Sequence, residues 1–252
     1  MTQILRINMQ NLSAKMEPVP DDFKLLGGRG FTSMFLSKEV DPLCDPLGAN
    51  NKLVFAPGLL GATSAPTSGR LSFGGKSPLT GGIKESNAGG QAGQYLARLG
   101  IQAVVVDGAA KPGKWYTVVI KKDGVKIEDA SRLAGKNNYE AVEKLQEAYG
   151  DKTAVISIGK AGEMLLSAAS IAVTDQENRP TRHAGRGGLG AVMGSKGIKA
   201  FVVDPAGANQ APLVDAEAFK TAQRNFLESL KKHPVTSEGL PTYGTNVLTN
   251  VL

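Results

Sequence analysis

The sequence predicts an α+β fold in which strands outnumber helices and the helices are short. Three observations predict it. Apolar and β-branched runs of strand length recur from Ile4 to Val203. Helical periodicity is confined to a few stretches between them. Glycine is in excess, at 31 of 252 residues against a usual share of about 7%, which suits many turns and close backbone approaches. After about residue 205 the pattern changes to the start of a helical region.

Ile4–Met9 alternates apolar and polar residues as a half-buried strand does, and a second strand around Leu12–Met16 pairs with it. Asp21 and Asp22 open a short helix that runs into Gly27-Gly28-Arg29-Gly30. The next helix, Phe31–Val40, carries Phe31, Met34, Phe35 and Leu36 on one face and ends before Pro42 and Pro46. Leu53–Ala56 is a short buried strand that empties into the small-residue loop Pro57–Gly69. Leu71–Gly74 is a strand, followed by the turn Lys76–Gly82. Ser86–Gly90 reads as a glycine-bearing loop, with Asn87 placed to cap a helix over Gln91–Leu99 that Gly100 closes. Ala103–Val106 is a buried strand, and Trp115–Ile120 and Val125–Ile127 flank a hairpin turn at Lys122-Asp123-Gly124.

Asn138–Tyr149 is an amphipathic helix with Ala141, Val142, Leu145 and Ala148 on its apolar face. Thr153–Ile158 is a strand, Gly159–Gly162 a turn, Leu165–Val173 a further strand, and Ile198–Val203 closes the sheet. Asp204–Pro212, with two prolines, is a linker. Asp215 caps a helix to about Lys232, with Phe219, Ala222, Phe226, Leu227 and Leu230 on one face, and His233-Pro234 stops it. Little chain is left to cover that face, and the tail runs mid-pattern into Asn250-Val251-Leu252. The sequence therefore reads as part of a longer protein, with one domain over residues 1–205 and a linker and the start of a second, helical domain over 206–252.

Composition excludes several classes. One cysteine, Cys44, and two histidines supply neither a disulfide framework, nor a four-ligand zinc site, nor the thiolates of an iron–sulfur cluster. No signal peptide opens the chain and no apolar stretch suits a membrane helix, so the expectation is a cytoplasmic protein without membrane contact. The net charge of +6 fits an acidic partner or ligand. With no Lys/Arg block and no aromatic–basic interleaving, a phosphorylated small molecule suits it better than nucleic acid.

The stretch richest in chemical signal is Arg182–Lys196, where five glycines lie among Arg182, Arg186 and Lys196. Glycine lets backbone N–H groups approach a ligand closely, and arginine forks suit phosphate oxygens. Gly185, Gly187 and Gly190 satisfy the dinucleotide-binding spacing, but the residues before them are polar and broken and the helix after them is barely two turns. Gly75-Lys76-Ser77 lacks the opening glycine of a phosphate-binding loop, because Arg70 stands there. His183 would need an orienting carboxylate to act as a base, and Asp175 and Glu177 are near only in sequence. What remains is three glycine-rich bends with polar or cationic tips: Arg70, Asn87 with Gly89, and Arg182 to Arg186. If they converge they form an anion site; if not, they are unrelated turns.

Gly61–Arg70, Lys76–Gly81 and Ala184–Lys196, together with the opening strand and Gly27–Gly30, resemble the N-terminal domain of the aldehyde ferredoxin oxidoreductase family, in order and spacing, across about residues 3–204. The resemblance implies two β-sheets packed with a few short helices, forming the base for a tungsten (or molybdenum) bis-pyranopterin held through its dithiolene sulfurs. It puts Arg70, Asn87, Gly89, Arg182, His183 and Gly185 on pterin-contacting positions, with Arg186 as an adjoining cation. It implies that the main-chain carbonyls of Asn87 and His183 bind a magnesium ion bridging the pterin phosphates. His183 stands where relatives commonly have a small residue. The implied reaction is oxidation of an aldehyde to a carboxylic acid, with electrons passed through a 4Fe-4S cluster to ferredoxin in an enzyme that is a homo-oligomer at full length. Cluster ligands and catalytic residues would lie outside this chain, which alone would fold but neither retain the metal cofactor well nor turn over. The alternative is a non-enzymatic carrier or binding subunit for a phosphorylated ligand on the same scaffold.

Overall fold

The computed structural model describes residues 2–249; Met1 and the tail residues Asn250–Leu252 lie outside the described residues. The chain divides into two units. The larger, Met1–Ala62 with Gly69–Ala211, is built on two six-stranded mixed sheets.

The first sheet takes β1 (Gln3–Asn8), β2 (Ser13–Pro18), β3 (Leu53–Pro57), β4 (Leu71–Lys76), β5 (Ile83–Ala88) and β6 (Ile101–Asp107), in the order β2-β1-β6-β3-β4-β5. The second takes β7 (Tyr116–Lys121), β8 (Gly124–Asp129), β9 (Ala154–Ser157), β10 (Ile171–Val173), β11 (Arg182–Ala184) and β12 (Ile198–Val203), in the order β11-β10-β9-β12-β7-β8. Each sheet contains one parallel pair, β1 with β6 and β7 with β12.

The β-branched runs follow from burial on both faces. In β6, Val104 and Val106 enter the layer between the sheets, while Ala103 and Val105 lie under α1 (Gly28–Glu39) with its Phe31, Phe35 and Leu36. In β12, Phe201 and Val203 enter the same central layer, while Ala200 and Val202 lie under α3 (Asn138–Tyr149) with its Val142 and Leu145. Phe55 of β3 joins the sheets, its ring centroid 5.3 Å from that of Phe73 and 5.0 Å from that of Phe201. The start of α3 is fixed by a capping box in which the Asn137 side chain accepts from Glu140 N and the Glu140 carboxylate from Asn137 N, both at 3.0 Å. Ala148 is exposed, off the helix's buried face.

Three expectations are corrected. Leu165–Val173 is not one strand: α4 (Lys160–Glu163) precedes it, Leu165 sits at φ 57°, Ala169 N donates to Leu166 O at 2.8 Å, and β10 begins only at Ile171. Ser86–Ala88 is the end of β5 rather than a loop. Asn87 caps no helix; α2 (Ala92–Arg98) starts after Gly90 with Gln91 at its N-cap and no side-chain cap bond.

In the larger unit α5 (Leu189–Ser195) leads into β12. The smaller unit, Thr63–Ser68 with the chain from Pro212, holds α6 (Ala216–Lys232). Asp215 accepts from Ala218 N at 2.9 Å, as its N-cap position predicts. No residue of α6 is buried. Past His233 the chain winds one π-helical stretch, Val235–Gly239, into α7 (Leu240–Tyr243).

Candidate functional site

The three bends converge. β5 and β11 are each the last strand of their sheet, and they run beside one another. Side-chain bonds stitch the segments together. Ser77 Oγ donates to Gly187 O at 2.7 Å, and Arg186 N donates to Ser86 Oγ at 3.0 Å. Arg70 Nε donates to the Asn87 side-chain oxygen, and Asn87 Nδ2 donates to Ser72 Oγ at 3.0 Å.

Strand register decides which main-chain groups face this seam. In an antiparallel pair, opposed residues alternate between exchanging both hydrogen bonds and turning their N–H and C=O outward. Ser77 N donates to Gly82 O at 2.9 Å, so counting along the β4–β5 register makes Ser72 opposite Asn87 an outward-turned pair. Thr174 N donates to Val155 O at 3.0 Å, so Ala172 turns its groups to β9, and its β11 partner His183 turns its own away from β10. The N–H and C=O of both Asn87 and His183 therefore face free sheet edges.

Beside those edges lies a cavity of about 170 Å³ lined by Arg70, Gly89, Gly90, Asp175, Gln176 and Arg182. Both arginines are exposed, and among the described residues no carboxylate forms an ion pair with either. Gly90 is required: its φ is +106°, and a Cβ there would stand 2.3 Å from Thr174 O. Gly185 is different, because a Cβ would meet nothing within 4 Å. Arg186 is exposed one residue further on.

Alternation along β11 sends successive side chains to opposite faces. Arg182 reaches the cavity, whereas the His183 imidazole sits on the other face with Nδ1 2.9 Å from Ser170 Oγ. Ser170, not a carboxylate, is its partner.

Two lysines of the motifs are structural. Lys196, read as a cation beside the ligand, is fully buried and donates to the carbonyls of Gly48, Ala49 and Asn51. Burial lowers its ammonium to about 8. Lys76 likewise donates to the carbonyls of Pro42 and Cys44, which removes it from any phosphate loop. Much of the glycine run is also structural: a Cβ at Gly188, Gly190 or Gly194 would overlap a main-chain oxygen at 2.0, 2.4 or 2.1 Å. The ligand-facing part of the stretch is thus its first residues, not its whole length.

Sequence reasoning missed Gly90, Gln176 and Asp175 as cavity residues. Asp175 signals its role through the polar turn that follows it. Burial alone would raise its carboxyl, but bonds from the Arg179 amide, the Thr181 hydroxyl, the Glu177 amide and the Arg179 guanidinium outweigh that and hold it well below the usual range.

Among the described residues no group of three His, Cys, Asp or Glu side chains is arranged to hold a metal ion. The donors the edge does offer are hard carbonyl oxygens beside cations, a set suited to magnesium together with phosphate oxygens. No described helix is long and apolar enough to cross a membrane.

The profile of the aldehyde ferredoxin oxidoreductase N-terminal domain matches residues 4–205. Tungsten-containing aldehyde ferredoxin oxidoreductases of Pyrococcus horikoshii and Thermococcus kodakarensis are 43% and 42% identical over 253 aligned residues, covering 99% of this chain and 40% of each relative. The WOR-like subunit of an aliphatic sulfonate oxidoreductase of Pyrococcus furiosus is 30% identical over 247 residues, covering 90% of the chain and 38% of that protein. Among solved structures, the active-site complex of benzoyl coenzyme A reductase with a bound dienoyl-CoA superposes with a TM-score of 0.84 at 31% identity, over 91% of this chain and 34% of that one. The chain thus spans about two fifths of the length of its curated relatives, and it belongs to the aldehyde ferredoxin oxidoreductase family.

Proposed function

We propose that the β5–β11 edge is one half of the seat of a tungsten bis-pyranopterin, in a protein that at full length oxidises an aldehyde. One observation carries the reading. The outward carbonyls of Asn87 and His183 lie at adjoining sheet edges beside two arginines that form no ion pair among the described residues. Those carbonyls would hold a magnesium ion, which would supply positive charge against the cofactor's phosphates. Arg70 and Arg182 would take phosphate oxygens, with Arg186 adding charge at the rim. The open backbone at Gly89 and Gly185 would let the flat ring system lie against the main chain. Because its imidazole turns to the other face, His183 can serve through its carbonyl alone.

When bound, the cofactor supplies the two-electron oxidation of the aldehyde. This chain's part is to bind and orient it. The 4Fe-4S cluster that relays electrons to ferredoxin would take its ligands from beyond this chain, whose one cysteine is Cys44. Residues 1–205 would be the base and 206–252 the linker into a helical domain; the full protein would be a cytoplasmic homo-oligomer. The aldehyde-oxidising relatives exceed the sulfonate and benzoyl coenzyme A relatives in identity, which favours an aldehyde, and their names favour tungsten.

The test is metal content. In the complete protein, Arg70→Ala and Arg182→Ala should each lower tungsten per chain by elemental analysis. Unchanged content in both variants would count against the seat.

A further inference from the structure

Asp175 lines the same cavity as Arg70 and Arg182 but makes no ion pair with either. Its side chain is 5% exposed. Five donors converge on it, all from its own loop. Oδ1 accepts from Glu177 N at 2.9 Å and Arg179 N at 3.0 Å. Oδ2 accepts from Thr181 Oγ1 at 2.8 Å and from Arg179 Nε and a terminal guanidinium nitrogen at 3.3 and 3.2 Å. An aspartate that accepts from amides just downstream forms a local turn. Here the turn is the whole connection from β10 to β11, closed by Asp175 N to Arg179 O at 2.9 Å and Asn178 N to Asp175 O at 3.1 Å.

Both ends of this loop bear on the cavity. Thr174, just before it, accepts from Gln91 N at 3.2 Å and packs its carbonyl against Gly90. Arg182 follows Thr181, whose hydroxyl is bound to the carboxylate. Arg179, whose guanidinium also pairs with Glu177 at 2.8 Å, puts positive charge beside Asp175, so the buried carboxylate is paired without the cavity's arginines.

We propose that Asp175 is the positioning residue of this anion site: it holds the loop that aims Arg182 at the cavity, and its pairing with Arg179 leaves Arg70 and Arg182 for phosphate. This rests on the reading of the edge as an anion site. A plain negative charge in the cavity would act oppositely, repelling an anion, so the sign of the effect separates the two.

The experiment is calorimetric titration of the 252-residue chain with magnesium pyrophosphate, alongside amide hydrogen exchange over residues 176–182. Asp175→Asn keeps an acceptor for the two amides but accepts nothing further on its nitrogen. It should weaken binding at least tenfold and speed exchange in the loop, while Asp123→Asn, the same charge change on a distant exposed turn, should do neither. Arg179→Gln, at an exposed position whose main-chain bonds with Asp175 do not depend on the side chain, should weaken binding at least threefold by unmasking the carboxylate. Binding as tight as wild type in Asp175→Asn, or unchanged in Arg179→Gln, would overturn the proposal while leaving the anion site standing. Absence of binding by the wild-type chain would overturn both.

Discussion

Gly188 and Gly185 stand three residues apart in one glycine-rich motif, yet replacing each with alanine should have opposite consequences. Gly188 has φ +68°, and a Cβ there would sit 2.0 Å from Ser167 O and 3.0 Å from a Pro78 ring carbon. An L-residue in that conformation costs roughly 1–2 kcal/mol. Relieving the overlap requires a main-chain shift, at about 1–3 kcal/mol more. The sum is about 2–5 kcal/mol, a large part of the roughly 5–15 kcal/mol that holds a domain together. Gly185 has no such constraint, so Gly185→Ala should change stability by less than about 0.5 kcal/mol. It should instead lower cofactor content in the complete protein, because the methyl group would project into open space at the edge. Urea unfolding followed by circular dichroism measures the first effect, and elemental analysis for tungsten the second. A Gly188→Ala variant within 1 kcal/mol of wild type would refute the argument. So would a Gly185→Ala variant that destabilises as much as Gly188→Ala.

Further outcomes follow from the buried lysines. Burial lowers the Lys196 ammonium to about 8, below its ordinary 10.5, so between those values the unfolded chain holds more protons and stability must rise with pH. That rise should reach about 3 kcal/mol at most, and it should vanish in Lys196→Met when urea midpoints are compared from pH 7.5 to about 10.5. Lys199 is fully buried and pairs with Glu163 at 2.5 Å. Glu163→Gln removes that partner and should cost about 3–5 kcal/mol in urea unfolding; a loss under about 1 kcal/mol would mean the pair is dispensable.

Much of the fold was legible because both sheets are covered on both faces, so β6 and β12 read as unbroken apolar runs. The 138–149 helix announced both its cap and its apolar face. Edge strands were harder. Ser86 and Asn87 are polar because their side chains bond neighbouring segments, Ser86 accepting from Arg186 N and Asn87 donating to Ser72, and polar residues beside two glycines imitate a loop. Leu165 and Leu166 are apolar but half exposed, so their run suggested a strand that the turn at Leu165 prevents. The glycines and arginines of the candidate site were visible as residue types. What no residue type reveals is which carbonyls face outward, since that depends on pairing register between distant segments. Lys196 was misread for a similar reason: a lysine in a glycine-rich run resembles a ligand cation until its carbonyl partners, far away in sequence, are known. Nearness in sequence makes Asp175 a candidate partner for His183, whereas alternation on β11 turns that imidazole to Ser170.

The most direct test of the edge as an anion seat is a nuclear magnetic resonance titration of the isotopically labelled chain with magnesium pyrophosphate. The amides of Asn87, Gly89, His183 and Gly185 should shift together and saturate at one affinity. Shifts confined to the lysine-bearing hairpin tip around Lys121–Lys126, with those four amides unmoved, would contradict the account.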